Sequence, residues 1–147
     1  MSTKADYTED EWKTILEAPT SAGLMVITAS RGGTFRETFS MAKAYSEARE
    51  QHGASELLDA VVASNPKVDR HAATPAELEL RATGYLRDAV VAIRSKGTEQ
   101  EVGDYGRFVL GLADRVAHAY REDGMEVSDA ERAAIEKIRE AVGADGD

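Results

Sequence analysis

The chain has 147 residues, 27 Asp and Glu against 18 Lys and Arg, and a formal net charge of −9. It contains no cysteine, which excludes disulfides, thiolate metal sites, iron–sulfur clusters and cysteine nucleophiles. Its basic residues are scattered and form no stripe for nucleic acid. The longest charge-free stretch near the start, 18–30, is shorter than the about 20 apolar residues of a membrane span.

The first twelve residues lack the apolar run of a secretory signal, so the expected compartment is the cytoplasm. Apolar residues recur at helical spacing, and no stretch alternates convincingly as a strand. The helix starts are marked by Ser/Thr-x-x-Glu, the capping box. In it the hydroxyl accepts from the N–H three residues on, and the carboxylate accepts from the N–H of the cap residue. The pattern stands at Thr8/Glu11, Thr34/Glu37, Thr74/Glu77, Thr98/Glu101 and Ser128/Glu131. Pro75 follows Thr74 at the first helical position, which proline favours, and Pro19 is read as opening a helix in the same way. Gly97 and Gly143 stand where a glycine ends the preceding helix.

In chain order the spacing predicts seven helices, near 9–17, 19–30, 35–51, 55–63, 75–96, 99–122 and 129–142. Residues 64–74 form the longest internal linker, and 1–7 and 144–147 are expected to be flexible ends of one all-α domain spanning 1–147. The segment 22–29 is apolar nearly all round, which suits a helix buried on every side. It is the expected central post of the bundle. The helix 75–96 carries Leu78, Ala82, Tyr85, Leu86, Ala89 and Ile93 on one face, with Arg87 and Arg94 outward. The helix 99–122 carries Val102, Tyr105, Val109, Leu112, Val116 and Tyr120 on one face. Trp12, Phe35, Phe39, Leu57, Leu58, Val61 and Phe108 complete the expected core.

Little in the sequence points to catalysis. His52 and His71 have no acidic neighbour at metal-ligand spacing, and Asp114, His118 and Glu122 form a ladder on the polar face of their helix. No nucleophile–base arrangement and no phosphate loop is present, because Arg31-Gly-Gly-Thr34 lacks the lysine and the preceding strand that such a loop needs. The chain therefore reads as a non-enzyme. The acid is concentrated in 122–147, which carries six of the nine net negative charges. Within it, 122–131 is an oxygen-rich turn with Gly124 at its bend, a type that suits Ca²⁺, Mg²⁺ or Mn²⁺. Asp123, Glu126 and Glu131 are its candidate ligands. By helical angle Glu131 falls on the side of Val127, Ile135, Ile138 and Val142. It then serves either as the carboxylate of the capping box with Ser128 or as a metal ligand.

The stretch from Phe108-Val-Leu-Gly-Leu-Ala-Asp-Arg-Val through Asp123-Gly124 and Ser128-x-x-Glu131 to Ile138 resembles the TerB-like tellurite-resistance family. So does Glu9-Asp-Glu-Trp-Lys-Thr-Ile-Leu-Glu-Ala-Pro19 followed by an apolar helix. The resemblance implies an all-helical bundle of helix–turn–helix units, an acidic cation site and a place in stress response or metal resistance. The second acidic turn is kept as Asp123, Gly124, Ser128 and Glu131. In the first turn, Ser30 and Arg31 stand where the family has acids, and Glu37 remains. The alternative is a metal-free module for protein–protein interaction or homo-oligomerisation.

Overall fold

The computed structural model describes residues 3–29, 35–50, 56–63, 75–122 and 129–143. Among the described residues the fold is all-helical, with no strand. It has six α-helices: α1 (Glu9–Ala29), α2 (Phe35–Glu50), α3 (Glu56–Ala63), α4 (Pro75–Lys96), α5 (Glu99–Glu122) and α6 (Asp129–Val142). A short 3-10 turn, Lys4–Asp6, precedes them. The expected linker 64–74 and tail 144–147 lie outside the described residues.

All five capping boxes fall where a helix begins. α1, α2, α4, α5 and α6 each start one residue after the Thr or Ser of a box. Two boxes are seen atom by atom. Thr8 N–H donates to Glu11 Oε1 at 2.9 Å while Glu11 N–H donates to Thr8 Oγ1 at 3.1 Å. Thr98 and Glu101 make the same exchange at 3.0 and 3.1 Å. At the other end of the bundle, Gly143 takes the left-handed backbone, φ +72°, that a side chain disfavours, and its N–H reaches Glu140 O at 3.2 Å. Gly97 follows α4 without that conformation, and its N–H makes a last helical-type bond to Ile93 O at 2.6 Å.

The seven-helix expectation is corrected at Pro19. The predicted helices 9–17 and 19–30 are one continuous helix, α1, with Pro19 inside it. A proline there removes the N–H that would bond the carbonyl of Ile15 and normally breaks a helix. Here Tyr105 on α5 replaces the missing donor, its hydroxyl bonding Ile15 O at 2.7 Å in the protein interior. Tertiary packing thus holds together a helix that local rules would divide.

α1 is the central element expected from the apolar segment 22–29, and it packs against α2, α4, α5 and α6. Ile15, Ala18, Ala22 and Val26 on it have no exposed surface. One contiguous core joins residues of all six helices: α1, Tyr45 on α2, Leu57 and Val61 on α3, and the inner stripes of α4, α5 and α6. Of the predicted α4 stripe, Leu78, Ala82, Leu86, Ala89 and Ile93 are buried and Tyr85 is half-buried against the core, and Val102, Tyr105, Val109, Leu112 and Val116 of α5 are buried as their spacing predicts. Trp12 is buried, while Leu58 and Phe108 pack on the core from its margin. The side chains of Phe35, Phe39 and Tyr120 lie outside the described residues.

Polar contacts secure the periphery. Arg49 Nε donates to Val62 O at 2.5 Å and ties α2 to the last turn of α3. Arg115 pairs with Glu47 between α5 and α2, and Lys137 with Glu79 between α6 and α4. At the start of the chain Tyr7 packs on Trp12, ring centroids 6.0 Å apart. Lys96, from the end of α4, closes over this corner. Its Nζ lies 5.9 Å from the Tyr7 ring centroid and 2.5 Å from Glu11 Oε1. No helix is long and apolar enough to cross a membrane among the described residues.

Candidate functional site

Three residues are candidate cation ligands by sequence, and the structure places one of them. Glu131 lies in the first turn of α6, beside Asp129, and none of its surface is exposed. A helix N-terminus favours negative charge there, because its first N–H groups point outward unpaired. Asp123 and Glu126 lie outside the described residues, as do Ser128, Ser30, Arg31, His52 and His71. Of the Asp114, His118 and Glu122 ladder, Asp114 is exposed, and the other two side chains are outside the described set. Among the described residues no group of three or more His, Asp or Glu is placed to hold a metal ion.

Glu131 has a counterpart in Glu101, which the sequence marks as a capping-box residue but not as a buried one. Glu101 is 4 % exposed and occupies the same third position in the capping box of α5. These two are the buried carboxylates among the described residues. Glu101 stands four residues before Tyr105, on the apolar side of α5, so the signal was present in the spacing. Glu101 serves its box in this buried setting: the carboxylate accepts the Thr98 N–H, and its own N–H donates to Thr98 Oγ1. A buried carboxylate in the third helical position is thus a structural device of this fold. Glu131 also has an interaction partner in the structure.

Beside Tyr105, Tyr45 on α2 is also enclosed, with its ring edge-on to Phe108 at 5.3 Å. Its hydroxyl makes no hydrogen bond among the described residues. Burial pushes both phenols above their ordinary range. The Arg49 charge partly opposes this at Tyr45, and the neighbouring Tyr45 adds to it at Tyr105.

The outer face of α4 differs from the rest of the surface. Leu80 and Val91 are 75 % and 65 % exposed, the large exposed apolar side chains among the described residues. Eleven residues is close to three helical turns, so the two stand in line about 16 Å apart along the axis. This line is opposite the buried stripe of Leu78, Ala82, Leu86 and Ile93. Between them lie Gly84, with open space where a Cβ would stand, and the exposed Arg87. Glu77 and Arg94, both exposed, flank the line at its two ends. Helical spacing marks Arg87 and Arg94 as outward, but Leu80 and Val91 were not among the residues it brought forward.

No protein-family model matches the chain, and neither a curated protein nor a solved structure matches it.

Proposed function

We propose that this protein is a non-catalytic helical module for protein–protein interaction, with the outer face of α4 as its working surface. The observation that carries this reading is the alignment of Leu80 and Val91 on one line of α4, directed away from the core. Exposed apolar side chains gathered on one face gain most by burial against a partner. The test is a photo-crosslinking side chain placed at position 80, at position 91, and at the exposed position 107 on α5 as control. Adducts with one recurrent protein, identified by mass spectrometry, are expected from 80 and 91 and not from 107. Equal yields at all three positions, or none at 80 and 91, would overturn the reading.

A second reading retains a TerB-like protein of stress response or metal resistance. In it Asp123, Glu126 and Glu131 of the segment 122–131 hold Ca²⁺, Mg²⁺ or Mn²⁺. Its support is the enclosed carboxylate of Glu131 at the start of α6, next to the most acidic part of the chain. Gln keeps the geometry of a capping box but is a far poorer cation ligand. Glu131→Gln is therefore expected to leave the metal-free melting temperature nearly unchanged and to abolish a cation-induced rise. A wild-type protein whose melting temperature responds to none of the three ions removes this reading. Under both readings the expected compartment is the cytoplasm.

A further inference from the structure

We draw no further inference here: the strongest candidate, the surface patch formed by Leu80 and Val91 on the outer face of α4, carries nothing beyond the reading above, because nothing in the structure shows what covers it.

Discussion

The hydroxyl of Tyr105 on α5 donates to the carbonyl of Ile15 on α1 at 2.7 Å, and that carbonyl is the one left without its helical donor by Pro19. A local defect and a distant side chain are thus matched. Removing the hydroxyl leaves a buried carbonyl without its partner, at a cost of about 1–3 kcal/mol. Tyr105→Phe is expected to lower unfolding stability by that amount in urea titration. Pro19→Ala restores an N–H four residues after Ile15. In that background the loss from Tyr105→Phe should shrink by half or more. Equal losses in the two backgrounds would show that the proline and the hydroxyl are unconnected.

Tyr45 makes the opposite prediction. Its hydroxyl is buried without a hydrogen bond among the described residues, so Tyr45→Phe removes a desolvated group and keeps the ring against Phe108. Stability should be unchanged or rise by up to about 1 kcal/mol. The two tyrosines also mark the alkaline limb. Their folded pKa values are raised, so their contribution is complete below the ordinary value of 10.0 and is lost as pH climbs beyond it. Absorbance at 295 nm should show these two of the five tyrosines ionising only as the protein unfolds.

On the acid side the sensitive group is Glu11. The hydrogen bond from Lys96, and then that from the Thr8 backbone, hold its carboxyl below the ordinary 4.5. A depressed carboxyl contributes stability above that value and loses it as pH falls through the folded value. Glu11→Gln should flatten the decline of melting temperature below about pH 4.5, since Gln retains a cap but not the ion pair. An unchanged slope would mean the Lys96 contact is absent in solution.

Two glycines separate backbone freedom from empty space. Gly111 lies in the middle of α5 with open space where a methyl group would stand, so Gly111→Ala should stabilise by about 0.4–1 kcal/mol. Gly143 is equally uncrowded, but its φ of +72° is unfavourable for an L side chain. Gly143→Ala should therefore cost about 1 kcal/mol. Chemical denaturation of the two variants reads the contrast directly.

The parts of this fold that are legible in the sequence are those held by near neighbours. A capping box spans four residues, so Thr8/Glu11 and Thr98/Glu101 announce their helices wherever the chain goes. The inner stripes of α4 and α5 are equally local, because the helical period alone decides which residues share a side. Pro19 misleads for the complementary reason. The group that keeps α1 whole is Tyr105, ninety residues from the carbonyl it bonds. The candidate ligand Glu131 turns inward as its helical angle predicts, but position alone does not say whether a carboxylate is there for the backbone or for an ion. Glu101 supplies the comparison, since it is an enclosed carboxylate that serves its own helix start. Leu80 and Val91 lie outside the core stripe, and pattern reading centred on that stripe gives no weight to apolar residues on the far side.

Trp12, the chain's one tryptophan, sits 8 % exposed against Tyr7 where Lys96 closes over the start of α1. The protein thereby carries its own optical gauge. Emission from a shielded indole lies to the blue and moves red when water reaches the ring, so a single fluorescence channel, needing no added dye, follows the fastening of the first helix to the fourth.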